Sequence, residues 1–179
     1  MRFCTINERY MEYLRSIDSR IPKYNYGSDH YKPFFHTLFT VNNLVYVGSI
    51  TSPKSKHRHM HSDIDFKKVF IDTNKRRGRY FSGAINLNLM FPVPTWCIND
   101  FNFSEMDQVR SFKNSKEKSK YISFLKHQLK SINQLNLPEA ATKLYNYRYE
   151  HPESSVARRC LDFKQLEIFA KEYDDEIDK

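Results

Sequence analysis

The chain has 179 residues, with 29 Lys+Arg against 21 Asp+Glu, a net charge of +8, three cysteines, four glycines and 15% aromatic residues. That length supports one domain with its own core, and the charge suits either a polyanionic partner, nucleic acid first, or a merely basic solvated surface. Cys4, Cys97 and Cys160 form no CxxC pair, and no segment reads as a signal peptide or a membrane span, so a reduced, cytoplasmic protein is expected.

In chain order, "MRFCTI" reads as a strand, and Asn7 can cap a helix through "ERYMEYLRSID", where Tyr10, Leu14 and Ile17 recur at helical spacing. Asp18 to Lys32 is polar and loop-like. "FFHTLFTV" and "LVYVGSI" are strand-like runs joined by Asn42-Asn43, a pair that tolerates the positive φ of a two-residue hairpin turn. "DFKKVFI" and "YFSGAINL" repeat the strand pattern on either side of the charged turn "DTNKRRGR". After "MFPVPTW" helices take over. They are a short one near Ser104 and Asp107, a long one over 116–134, one with Pro138 in its first turn, and a last one capped by Asp162. The expectation is a single α+β domain, β-rich over 1–95 and helical over 104–173, with an acidic frayed tail at 174–179.

The stretch "ITSPKSKHRHMH", residues 50–61, concentrates the chemistry. His57, His59 and His61 would share one face of an extended segment, with Asp63 two residues on. That is close to the HxHxDH run of metallo-β-lactamase-type nucleases, but the Asp follows the third His instead of preceding it. Beyond it only His127 and His151 remain, both in predicted helices, so a metal-dependent nuclease stands as an alternative. GxxxxGK[ST], GxGxxG and GxSxG are absent, and the carboxylates lie mainly on predicted helix surfaces and the tail. Metal-free cleavage of RNA needs only a substrate 2′-OH held in line, two proton movements and charge stabilisation at phosphate. Thr51 and Ser52 offer hydroxyls, Lys54 offers charge and a titratable proton, and Pro53 stiffens the turn between them. Such strings also occur as plain solvated turns.

Four segments in order resemble the ToxN/AbiQ family, the toxins of type III toxin–antitoxin systems. They are "RFCTINERYMEYLRSIDSRIP", "KPFFHTLFTVNNLVYVGSITSPKSKH", "GAINLNLMFPVP" and "CLDFKQLEIFAKEY". The resemblance implies a compact, twisted, mostly antiparallel β-sheet core with surrounding helices, distantly like Kid and MazF. It implies a metal-independent endoribonuclease without cofactors, leaving a 2′,3′-cyclic phosphate and a 5′-OH. The implied antitoxin is not a protein but a small, repeat-encoded pseudoknot RNA, cut from its precursor and held in closed toxin–RNA rings. Cellular or phage RNA would be the substrate and abortive infection the setting, with no membrane partner.

By the same resemblance Thr51 and Ser52 position the scissile phosphate, and Lys54 supplies proton transfer or transition-state charge. Lys32 binds an adjacent phosphate, and the active-site tyrosine falls on Tyr31 or Tyr26. Lys56, His57 and Arg58, with Lys75, Arg76, Arg77 and Arg79, are candidate phosphate contacts or solvated charge. His36 reads as structural, and Lys126 and Lys130 as solvated. A non-catalytic basic RNA-binding protein is the other alternative.

Overall fold

A run of β-branched and aromatic side chains, Leu44–Thr51, forms the strand around which the sheet is organised. The computed structural model describes residues 1–24, 33–36, 38–72 and 78–173. The strands are β1 (Arg2–Ile6), β2 (Phe34–His36), β3 (Thr40–Val41), β4 (Leu44–Thr51), β5 (Phe66–Asp72), β6 (Arg79–Asn86), β7 (Phe91–Pro94) and β8 (Ile98–Asp100). They pair in the order β5-β6-β4-β2-β1-β8, while β3 and β7 pair with β4 off that path. Among the described residues all the ladders are antiparallel, in line with the mostly antiparallel sheet expected.

β4 is used in halves. Leu44–Val47 pairs with β7, and Leu44 and Val45 also with β3; Gly48 and Ser49 pair with β2, and Ile50 and Thr51 with β6. This is why the run "FFHTLFTV" breaks in two: its start joins β1 and the far half of β4, and its end joins the near half. Asn42 and Asn43 take φ of 49° and 65°, the left-handed pair that a tight hairpin demands.

The helices are α1 (Glu8–Ile17), α2 (Ser55–His59), α3 (Met106–Val109), α4 (Ser115–Asn133), α5 (Leu137–Glu150), α6 (Ser155–Arg159) and α7 (Phe163–Glu172). Asn7 accepts from the Tyr10 amide at 3.0 Å and Asp162 from the Gln165 amide at 3.2 Å, the two caps expected from sequence. Asn114 and Ser154 cap α4 and α6 in the same way, and Asn102 rather than Ser104 caps the short turn before α3. α7 packs on β7 and α4 on β5. Tyr10, Phe34, Phe35, Tyr46, Phe91 and Phe163 are fully buried, and truncating a ring of this kind to Ala costs about 3–5 kcal/mol.

Two strands lie where sequence patterning placed the turn to helices. β7 carries Pro92 and Pro94, residues that read against a strand because they lack an N–H. Here the Pro92 carbonyl instead accepts the buried Tyr10 hydroxyl at 2.7 Å, tying α1 to the sheet. β8 then extends the sheet beyond residue 95 by pairing with β1.

Candidate functional site

β4 ends at Thr51, whose Oγ1 donates to the Ala84 carbonyl at 3.2 Å across the last register pair with β6. The neighbouring Gly83 permits that closeness. A Cβ on it would stand 2.8 Å from the Thr51 carbonyl oxygen and 2.6 Å from Ile50 Cγ1. The same Gly83 faces Val69 at a β-bulge between β5 and β6, a device that re-aims a strand locally. Beyond Thr51 the chain leaves the sheet through Ser52 and Pro53, and Lys54 becomes the N-cap of α2. Ser52 and Lys54 are exposed. Two hydroxyls and one ammonium thus sit within four residues of a strand end, on a turn that a proline stiffens.

α2 changes the reading of the histidines. The segment is helical rather than extended, so side chains at 57 and 59 diverge by about 200° at 3.6 residues per turn. His57 is 3% exposed, whereas His59 and His61 are exposed. Among the described residues no three His, Cys, Asp or Glu side chains are grouped to hold a metal ion. His57 also departs from its expected role as a phosphate contact. Its ring packs 5.7 Å from Phe66 and its Nδ1 accepts the Lys54 backbone N–H at 3.3 Å. Burial first, then the charges of Lys56 and Lys54, hold the imidazole below its ordinary pKa of 6.5.

Lys56, Arg58 and Arg79 are exposed, as a phosphate contact requires, although Arg79 Nε lies 3.4 Å from Asp72 Oδ1. Lys68 was not singled out from sequence. Its Nζ donates to the Arg58 carbonyl at 2.9 Å and stands 6.0 Å over the Phe81 ring. Phe70, 38% exposed, lies 5.4 Å from Phe81. The signal was the alternation Phe66, Lys68, Phe70, which places a cation and an exposed ring on one face of β5. Tyr26, Tyr31, Lys32, Lys75, Arg76 and Arg77 lie outside the described residues.

His36, half-buried, has Nε2 3.8 Å from Asp100 Oδ1, and burial lowers its pKa; its role is in the sheet, as expected. Lys126 stands 5.4 Å over Phe103 and Lys130 is exposed. All three cysteines are buried with free thiols. Burial pushes Cys4 up to about 12 and Cys160 up to about 11, so neither is a ready nucleophile.

The chain is thus an α+β protein of net charge +8 with a hydroxyl–lysine turn at the end of its central strand, β4. Residues 2–171 match the sequence model of the family described as Toxin ToxN, type III toxin-antitoxin system, and the chain belongs to that family. A curated relative, Endoribonuclease ToxN of Bacillus thuringiensis subsp. kurstaki, is 26% identical over 174 residues, covering 96% of this chain and 84% of its own. A solved structure from work on a processed non-coding RNA that regulates a bacterial antiviral system superposes with a TM-score of 0.75 at 21% identity, over 97% of this chain and 99% of that one. The structure of AbiQ, a lactococcal anti-phage endoribonuclease of a type III system, gives 0.71 at 19% identity, over 96% of both chains. No helix among the described residues is long and apolar enough to cross a membrane.

Proposed function

We propose that this protein is an endoribonuclease toxin that cuts RNA by attack of the 2′-oxygen on the adjacent phosphodiester, without a metal ion. The observation that carries the reading is the turn Thr51–Lys54, displayed from a braced strand end in a chain of the ToxN family. The Thr51 hydroxyl hydrogen is committed to Ala84, so Thr51 acts mainly through its place at the end of the ladder. The exposed Ser52 hydroxyl is then the donor for a non-bridging oxygen of the scissile phosphate. Lys54 supplies positive charge at the phosphorane or the proton taken by the leaving 5′-oxygen. The 2′-O–P bond forms as the P–5′-O bond breaks, the 2′-hydroxyl proton passing to a general base and the leaving 5′-oxygen taking up a proton, so that a 2′,3′-cyclic phosphate and a 5′-OH remain. Lys32 binds a neighbouring phosphate, with Tyr31 or Tyr26 beside the substrate; Phe34, two residues after Lys32 in the chain, pairs with Ser49 of β4.

Lys56, Arg58 and Lys68 offer phosphate neutralisation beside that turn, and the exposed ring of Phe70 and Arg79, further along β5 and β6, offer stacking and charge to a longer RNA. The solved relatives include a type III toxin inhibited by a non-coding RNA pseudoknot, with a TM-score of 0.72 at 23% identity over 96% of both chains. By that likeness the inhibitor of this chain is a small pseudoknot RNA that the toxin processes and holds, in a cytoplasmic phage-defence system.

The test uses purified protein and end-labelled RNA. Cleavage persisting in EDTA with cyclic-phosphate ends is expected, with Lys54→Ala and Ser52→Ala each reducing it by about 100-fold or more. Cleavage abolished by EDTA and restored by a divalent cation refutes the metal-free reading. Unimpaired cleavage by Lys54→Ala refutes the site.

A further inference from the structure

His57 lies in the middle of a solvent-facing stretch, yet it is 3% exposed while Ser55, Lys56, Arg58 and His59 around it are exposed. A helix of five residues such as α2 cannot hold itself together, since nucleation costs more than one turn returns. Something else must fix it. The His57 N–H donates to the Lys54 carbonyl at 2.9 Å, and the Lys54 N–H donates back to His57 Nδ1 at 3.3 Å. This reciprocal pair has the form of a capping box, with an imidazole where Glu or Gln is usual and a carbonyl where a hydroxyl is usual.

The far side of the ring rests on Phe66, itself 3% exposed. Phe66 is anchored in turn. Asp63 and Phe66 exchange both backbone hydrogen bonds, at 2.8 and 3.3 Å, and the adjacent Asp65 is held by Arg159 Nε and Nη2, each at 3.0 Å. Lys68 clamps the other end of α2 through the Arg58 carbonyl.

We infer that His57 is the positioning residue of the Thr51–Lys54 turn, acting through the Lys54 backbone and never touching RNA. Thr51 is pinned by Ala84 and Lys54 by His57, so only Ser52 and Pro53 lie between two fixed points, and Pro53 has its φ locked. The direction in which Ser52 and Lys54 project is therefore set from both sides. An accepting Nδ1 requires the neutral ring with its proton on Nε2; burial and the neighbouring lysines favour the neutral ring. The inference rests on the reading of this turn as the cleavage site.

Substitution separates this role from an RNA contact. In His57→Asn the side-chain oxygen occupies the place of Nδ1 and can still accept the Lys54 N–H. In His57→Leu, close to asparagine in shape, no side-chain atom can accept it. Wild type, Lys54→Ala, His57→Asn, His57→Leu and His57→Ala are compared in steady-state cleavage of one end-labelled single-stranded RNA that wild type cuts. Circular dichroism melts check folding. RNA affinity is measured by anisotropy in a Ser52→Ala background.

His57→Leu is expected to lower kcat by about 10- to 100-fold with affinity within about threefold, and His57→Asn to stay within about threefold of wild type. A folded His57→Leu with wild-type kcat overturns the inference, as does a weakened affinity at unchanged kcat. If His57→Leu does not fold, the asparagine variant decides: near-wild-type kcat supports the role, and a folded variant as defective as His57→Ala overturns it. Full activity in Lys54→Ala would instead refute the site itself, whatever the His57 variants do.

Discussion

The two ends of β4 are built on opposite terms. At Tyr46 the strand is closed in. Its hydroxyl and that of Tyr145 both donate to Oε1 of the buried Glu167, at 2.7 and 2.8 Å, inside a cluster with Phe39 and Phe163. Five residues later, at Thr51, the strand opens into exposed Ser52 and Lys54 with cations around them. At the closed end polar groups satisfy one another and add stability. At the open end they stay exposed to solvent and add almost none. One strand thus carries both a buried anchor and the turn proposed as the cleavage site.

The sharpest separation comes from Lys54→Ala and Ser52→Ala. Each should abolish nearly all cleavage, a loss of about 100-fold or more, and leave the unfolding free energy within about 0.5 kcal/mol of wild type. A large fall in melting temperature would show that the open end is structural after all. Gly83→Ala should blur the comparison, because its new Cβ meets the Thr51 carbonyl at 2.8 Å. About 1–3 kcal/mol of stability should go, together with cleavage, since overpacking moves the strand end. Unchanged activity in that variant would mean the end of β4 has slack.

At the closed end Tyr46→Phe removes one of the two phenol donors to Glu167 and should cost about 1–3 kcal/mol in denaturant unfolding, with kcat unaltered at temperatures where the protein stays folded. Tyr145→Phe, at a half-buried ring, should cost less; the reverse order would refute the burial argument.

The next effect is a pH dependence. The folded pKa of His57 lies below its ordinary 6.5, so the folded state binds its proton less readily than the unfolded chain. Its contribution is complete above pH 6.5 and drains away as the pH falls through 6.5 toward the lowered value, by at most about 1.4 kcal/mol per pH unit. Melting temperature against pH should therefore be flatter on the acid side for His57→Asn than for wild type; identical curves would remove the histidine from the account. The smallest effect belongs to Lys56→Ala and Arg58→Ala. Each should weaken RNA binding a few-fold and reduce the salt slope by about 0.7 per lost phosphate contact, while unfolding is unchanged. An unaltered slope would make them solvated charge.

Much of the fold could be read from local pattern. Asn7 and Asp162 announced their helices because a cap and the amide it serves are three residues apart. Asn42-Asn43 announced the hairpin because positive φ selects those residues. The turn 51–54 stood out as a candidate because its hydroxyls and its cation are adjacent in the chain. β7 was not legible, since its prolines argue against a strand until β4 is seen to receive it. The burial of His57 was not legible for the same kind of reason. In a string of histidines and lysines it looks like its neighbours, and only Phe66, nine residues on, distinguishes it.

The sequence by itself thus determined the elements, the charge, the order of motifs that marks the family, and the candidate side chains of the turn 51–54. These are properties of neighbouring residues or of the chain as a whole. The tertiary structure alone decided which of these side chains stay exposed and which are held. That Thr51 is braced by Ala84, that Gly83 must lack a side chain, and that His57 faces inward each depend on a partner distant in the chain, brought close by pairing and packing. A polar side chain becomes a ligand or a strut according to what the fold places against it.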